Sequence, residues 1–227
     1  MSGHTAPRQL ALSLGHTESF GHEDFLAGPA NSDALSLVDR WPDWPSRNVL
    51  LIGPEGSGKS HLAAIWAAIS GARFISARAL DFAAVPSALA TGALVVEDLV
   101  AGHFDETAMF HLLNLAREED AHLLLTARAS PAAFPLRIAD LASRLRAMPV
   151  VSLSPPDDAL FRALLVKLFT DRQIRVDEGL VSFLSSRLER SFAAARAAVD
   201  RLDRTALRLK RPPNRALAVE LFANRNA

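Results

Sequence analysis

Gly53-Pro54-Glu55-Gly56-Ser57-Gly58-Lys59-Ser60 sets two glycines, a lysine and a serine at the spacing G-x-x-x-x-G-K-S. This pattern suits phosphate binding. Glycines let backbone N–H groups turn inward around phosphate oxygens, and a helix beginning there adds its partial positive charge. Lys59 can reach the β- and γ-phosphates, and the Ser60 hydroxyl can ligate Mg²⁺. The preceding Arg47 to Ile52 reads as a buried strand, and the following His61 to Ser70 as a helix rich in Ala, Leu and Ile. That strand–loop–helix context gives the motif its meaning. The candidate nucleotide contacts are Gly53, Pro54, Glu55, Gly56, Ser57, Gly58, Lys59, Ser60 and His61. They imply a bound nucleoside di- or triphosphate, ADP or ATP, with Mg²⁺.

Further along lie groups that could complete such a site. Leu94-Val95-Val96-Glu97-Asp98 is an apolar run ending in two acids. Phosphate-loop NTPases use an acid at the end of a neighbouring strand to help hold Mg²⁺. Glu97 takes that place with Ser60, and Asp98 takes the place of a residue orienting the attacking water. The usual pair has the short acid first and the long one second, so the swap favours metal binding over efficient hydrolysis. The bare alternative is two strand-end carboxylates facing solvent. Thr126 closes the apolar run His122 to Thr126, at a place that suits a polar sensor of the γ-phosphate. Arg144, in Asp140-Leu141-Ala142-Ser143-Arg144-Leu145, sits where oligomeric phosphate-loop ATPases send an arginine into a neighbour's site. Its guanidinium is always charged and forks onto phosphate oxygens. A residue with that role is expected to be exposed in the free protein.

The elements that must position these groups alternate. A helix is expected over Asn31 to Arg40. Strands are expected at Arg47 to Ile52, Ala72 to Ser76, Leu94 to Asp98, His122 to Thr126 and Val150 to Leu153, with a helix over Thr107 to Glu118. Such alternation predicts a parallel α/β sheet with helices on both faces. After Pro155-Pro156 the strand signal ends. Asp157 to Phe169, Asp177 to Leu188 and Phe192 to Leu209 carry helical periodicity, and a short helix is expected around Ala216 to Phe222. The expected organisation is a flexible tail over 1–17, an α/β nucleotide-binding domain over 18–154 and a small all-helical lid over 155–227.

Composition bounds the remaining classes. The 227 residues are 49% hydrophobic with zero formal net charge, ample for a packed core and unlike a chain that binds DNA by charge alone. There is no Cys, which excludes disulfides and thiolate metal sites and suits an intracellular protein. No apolar run reaches membrane-spanning length, and the N-terminus lacks the charged-then-apolar order of a signal peptide.

GPEGSGKSHL, LVVED, LLLTA and DLASRL occur in this order before a helical segment. The arrangement resembles the DnaA-related AAA+ family, over roughly residues 18–227. The stretch Phe20 to Asn31 is similar to the family's segment that contacts the nucleotide base. Full initiators continue into a helix-turn-helix DNA-binding domain and carry a long N-terminal domain, and neither pattern is found here. Within the family the chain therefore resembles the Hda-like regulators that inactivate DnaA. That resemblance implies an AAA+ protein that promotes hydrolysis of DnaA-bound ATP through Arg144 in trans. It implies weak ATPase activity of its own and no strong sequence-specific DNA binding. It further implies a cytoplasmic, nucleoid-associated bacterial protein with no membrane contact, and it allows a homo-oligomer without fixing one.

Gln9-Leu10-Ala11-Leu12-Ser13-Leu14 resembles the peptide with which such proteins bind the DNA polymerase sliding clamp. Gln9, Leu10, Leu12 and Leu14 are the candidate clamp contacts. Leu12 and Leu14 would fill an apolar pocket while Gln9 bonds at its rim, the peptide ordering on contact. An edge strand of the protein's own sheet is the other reading. One family feature is missing: the lid arginine that senses nucleotide falls on Ala193. Arg190 and Arg196 lie one turn away, since i and i±3 share a helix face. Either one replaces the sensor or the chain has none. Two other functions stay in competition. One is an autonomous AAA+ ATPase that loads a helicase or remodels a substrate. The other is a DNA-tethering adaptor using Arg201 to Arg215, a stretch diluted by Asp200 and Asp203.

Overall fold

The computed structural model describes residues 21–222. Its centre is a sheet of β1 (Asn48–Ile52), β2 (Arg73–Ser76), β3 (Ala93–Leu99), β4 (His122–Ala127) and β5 (Val150–Ser152). The spatial order is β2-β3-β4-β1-β5, and every pairing is parallel. Burial follows that order. Val49, Leu50 and Leu51 of β1 and Leu123, Leu124 and Leu125 of β4 are fully buried, while edge strands β2 and β5 are largely exposed. A central strand covered on both faces must be apolar at every position, which explains the unbroken runs in the sequence.

The helices α1 (Ser32–Asp39) and α2 (Lys59–Ser70) cover one face, with Leu37, Val38, Leu62 and Trp66 packed on Val49, Leu51 and Val95. The other face is covered by α3 (Val85–Leu89), α4 (Glu106–Glu118) and α5 (Ala139–Ala147), through Leu89, Met109, Leu112, Leu141 and Leu145. The sequence pattern did not announce α3 or α5. Each is short, and α5 buries only Leu141 and Leu145, too few apolar positions for a clear period.

The helices α6 (Asp158–Asp171), α7 (Glu178–Arg187), α8 (Phe192–Leu209) and α9 (Arg215–Phe222) build their own core from Phe161, Leu165, Phe169, Leu184, Val199 and Leu202. Capping residues start most of these helices. Asp157, Asp177 and Ser191 accept backbone N–H groups of Leu160, Leu180 and Ala194, as Asp105 does for Thr107 and Ala108 at α4. Such a cap is worth roughly 1 kcal/mol. The segment Gly21 to Asn31 stitches the two cores together. Leu26 and Ala30 pack on the helical core, Phe25 packs on the sheet side, and Lys167 of α6 donates to Asp24 at 2.9 Å. That contact raises the lysine's pKa above its usual value. Among the described residues, no helix is long and apolar enough to cross a membrane.

Candidate nucleotide site

The phosphate loop leaves β1 at Gly53 and enters α2 at Lys59. Gly53 has no room for a side chain, because a Cβ would stand 2.7 Å from the Leu153 carbonyl oxygen and from Ser57 Oγ. Gly56 and Gly58 adopt φ of 69° and 101°, a region that L-residues with a Cβ avoid. Gly58 also caps α2 without a side chain, so no capping group competes for the first N–H groups of the helix. The loop therefore presents backbone donors where a phosphate would sit. Ser57 is buried, and its Oγ has no hydrogen-bond partner among the described residues.

Lys59 is folded into this cradle. Its Nζ donates to the Gly53 carbonyl at 2.7 Å and the Pro54 carbonyl at 2.8 Å. Burial pushes its pKa below the usual lysine value. Asp98 is the strongest opposing charge, Arg128 pushes the value further down, and Glu55 and Glu97 pull it back. Ser60 is exposed at the first turn of α2.

The two acids of β3 are not arranged as a regular strand would hold them. The β3–β4 register slips between Val96 and Leu99, and Asp98 takes a φ of 56°. Asp tolerates this left-handed conformation better than most residues. The bulge leaves Glu97 half-buried and Asp98 exposed. Of the two, Asp98 pulls harder on Lys59. Thr126 is buried, and its Oγ1 accepts the Asp98 N–H at 3.1 Å. That contact ties Thr126 to the bulge at Asp98. Ser60, Glu97 and Asp98 are hard oxygen donors of the kind Mg²⁺ takes together with nucleotide phosphates.

His61 follows directly on the phosphate loop. It is buried, its ring meets Phe25 edge-on at 5.3 Å, and its Nε2 lies 3.2 Å from the Gly21 carbonyl. One residue into α2, its side chain turns to the Gly21 to Asn31 segment and anchors that segment beside Gly58.

The lid closes directly on the loop. Phe192 N–H donates to the Gly56 carbonyl at 2.8 Å, and Ala193 lies so close that a Cβ on Gly56 would stand 2.8 Å from its own. Ala193, the residue on which the expected sensor arginine falls, thus packs directly against the phosphate loop. Arg190 lies 2.6 Å from Asp158 in an exposed ion pair. A cavity of about 480 Å³ lies behind this contact, lined by Glu55, Ala194, Ala197, Arg201 and Phe222. Its walls come mainly from α8, and Glu55 brings the phosphate loop to its edge.

Arg144 is elsewhere. It lines a second cavity, of about 410 Å³, with Ser46, Asn48, Arg117 and Met148, at the start of β1. The phosphate loop leaves the other end of that strand, on the order of 13 Å away at about 3.3 Å per residue. Contrary to the expectation of an exposed arginine, the Arg144 side chain is only 27% exposed. It donates to Asn114 at 2.8 Å and Asp140 at 3.0 Å, and it lies 5.0 Å from the centre of the Phe110 ring. Glu106 fixes the start of α5 beneath it by accepting the N–H groups of Arg137 and Ile138. Gln9, Leu10, Leu12 and Leu14 lie outside the described residues.

Sequence reasoning stopped at Thr126 and missed Arg128. This residue follows β4 at the carboxyl edge of the sheet, and its Nη1 lies 2.7 Å from Glu55 Oε2 of the phosphate loop. The available signal was a cation two residues past a strand-end Thr, at the edge where open α/β sheets bind ligands.

Sheet order, phosphate loop and helical lid together define the AAA+ class of α/β fold. The structure matches domain III of the Thermotoga maritima replication initiation protein DnaA with a TM-score of 0.75, at 17% identity, over 90% of this chain and 96% of that one. A replication initiator DnaA bound to AMPPCP and single-stranded DNA matches at 0.63 and 18% identity, over 83% of this chain and 67% of that one. The Thermotoga maritima RuvB Holliday junction branch migration motor matches at 0.68 and 15% identity, over 89% and 70%. No family model and no curated protein matches the chain. At these identities the likeness is one of fold.

Proposed function

We propose that this chain is a nucleotide-binding regulator that promotes hydrolysis of ATP held by DnaA and so represses re-initiation of replication. The observation that carries the reading is the separation of its two charged centres. Arg144 sits at the opposite end of β1 from the chain's own phosphate loop, so its charge serves another molecule better than its own site. The lid position filled by Ala193 supports weak hydrolysis in cis, and the fold likeness to DnaA domain III supports a partner of the same architecture.

The chemistry divides among the residues. Backbone N–H groups of Gly56 to Ser60 receive phosphate oxygens. Lys59 exchanges the Gly53 and Pro54 carbonyls for the β-phosphate. Ser60 with Glu97 or Asp98 would hold Mg²⁺, which when bound would neutralise charge between the phosphates. Thr126 keeps Asp98 in place. Arg144 leaves Asn114 and Asp140 for the transferred phosphoryl group in the partner's site, a contribution of order 10³–10⁵ in the best-known arginine-finger systems. Gln9, Leu12 and Leu14 hold the chain to the sliding clamp, where loaded DNA brings it to the initiator.

The test is single-turnover hydrolysis by ATP-bound DnaA with clamp and DNA present. The parent chain is expected to accelerate it and Arg144→Ala to abolish the acceleration. Arg144→Lys is expected to rescue poorly, because an ammonium lacks the planar fork. An alanine variant that stimulates fully would move the role to Arg146 or Arg137. The fold likeness to the RuvB motor favours a second reading, an autonomous ATPase. Brisk steady turnover by the purified chain, with no effect on DnaA, would establish it in place of the first.

A further inference from the structure

We propose that Arg128 is the residue by which this site distinguishes a nucleoside triphosphate from a diphosphate, by exchanging Glu55 for the terminal phosphate. The inference rests on the nucleotide-binding reading above. It deepens that reading by assigning a discriminating group at the carboxyl end of β4.

The first observation is position. The Ala127 carbonyl accepts the Gly53 N–H at 3.1 Å, so β4 delivers Arg128 beside the first residue of the phosphate loop. The second is its partner. Glu55 is the one acid within the loop, and its Oε2 lies 2.7 Å from Arg128 Nη1, with the two side chains 72% and 56% exposed. A pair so open to water is weakly held, and either member can be exchanged for a better ligand. The third is reach. The charges of Arg128 and Glu55 both act on Lys59, in opposite directions, so all three groups share one field at the mouth of the cradle. The fourth is the lid. Ala193, the residue that stands against Gly56, has no charge to offer at the loop.

These observations fix an order of events. A diphosphate engages Lys59 and the backbone donors and leaves the Arg128–Glu55 pair intact. A triphosphate brings further negative charge toward the same mouth. There it repels the Glu55 carboxylate and offers Arg128 oxygens matched to its planar fork. Glu55 then acts as a counterweight: it holds Arg128 when the terminal phosphate is absent and competes for it when present.

The experiment is calorimetric titration of the full chain with ADP and with a non-hydrolysable ATP analogue, both with Mg²⁺. The proteins are the parent, Arg128→Ala, Arg128→Lys, Glu55→Gln and the double variant Arg128→Ala/Glu55→Gln. Arg128→Ala is expected to weaken the triphosphate roughly tenfold or more, the usual scale of a lost charge-assisted contact, and the diphosphate less than about threefold. Arg128→Lys recovers part of that loss. Glu55→Gln shifts the ratio the other way, toward the triphosphate, and this gain disappears in the double variant because it depends on Arg128. Equal weakening of both nucleotides by Arg128→Ala, or a Glu55→Gln gain that persists without Arg128, would overturn the assignment. Both side chains are exposed, so melting temperatures should match the parent's. A parent that binds neither nucleotide would instead sink the nucleotide reading itself, and the proposal with it.

Discussion

Gly56 is where the lid touches the phosphate loop, and replacing it with alanine separates two energetic contributions. Its φ of 69° lies in the left-handed region. An L-residue there costs about 1–2 kcal/mol. A Cβ at this position would stand 2.8 Å from Ala193 Cβ, 3.0 Å from Ala193 N and 3.3 Å from Ser191 Cβ. Carbon atoms rest roughly 3.5–4.0 Å apart, so the lid must withdraw by on the order of 1 Å. That movement loosens the 2.8 Å bond from Phe192 N–H to the Gly56 carbonyl. Overpacking of this kind costs about 1–3 kcal/mol. Gly56→Ala is therefore expected to destabilise the protein by about 2–5 kcal/mol. Gly71 supplies the control. Its φ is 71°, yet an added Cβ meets nothing within 4 Å. Gly71→Ala carries backbone strain alone, about 1–2 kcal/mol. Urea denaturation followed by circular dichroism gives both losses. Their difference, about 1–3 kcal/mol, measures the lid contact. Equal losses in the two variants would refute a lid seated on Gly56.

Other outcomes are expected. Lys59→Ala should weaken ADP and ATP at least tenfold by calorimetry, since it removes the cation at the β-phosphate; unchanged affinity for both would sink the phosphate-loop reading. His122 has its pKa lowered by burial and then by Arg47, beside Trp41 and Trp44. The native state thus resists its protonation, so its contribution to stability is complete above about pH 6.5 and is lost as pH falls through the lowered value. Denaturation midpoints of His122→Gln should depend less on pH than the parent's across that window, and parallel curves would exclude the assignment. Leu12→Ala with Leu14→Ala should abolish clamp binding in a pull-down while leaving the melting temperature unchanged. A large drop in melting temperature with binding intact would instead favour an internal strand.

The sequence by itself determined the sheet and the cradle. Each depends on local rules: buried parallel strands are continuously apolar, Asp and Ser cap helices, and only the Gly-x-x-x-x-Gly-Lys-Ser spacing opens backbone donors while Lys59 reaches back over them. The run from Phe192 to Leu209 was legible because eighteen residues display a full apolar stripe. The five-residue α3 and the sparsely apolar α5 were not, because too few turns were present to set a period. Tertiary structure decided where charges meet. The bulge at Asp98 is held by Thr126, 28 residues away in the chain, which accepts the Asp98 N–H. The ion pair of Glu55 with Arg128 exists because β4 lies beside β1 in the sheet. Arg144 is tied down because α4 places Asn114 and Phe110 under α5. Partners so distant in sequence are chosen by strand order and helix packing, and no local spacing encodes them.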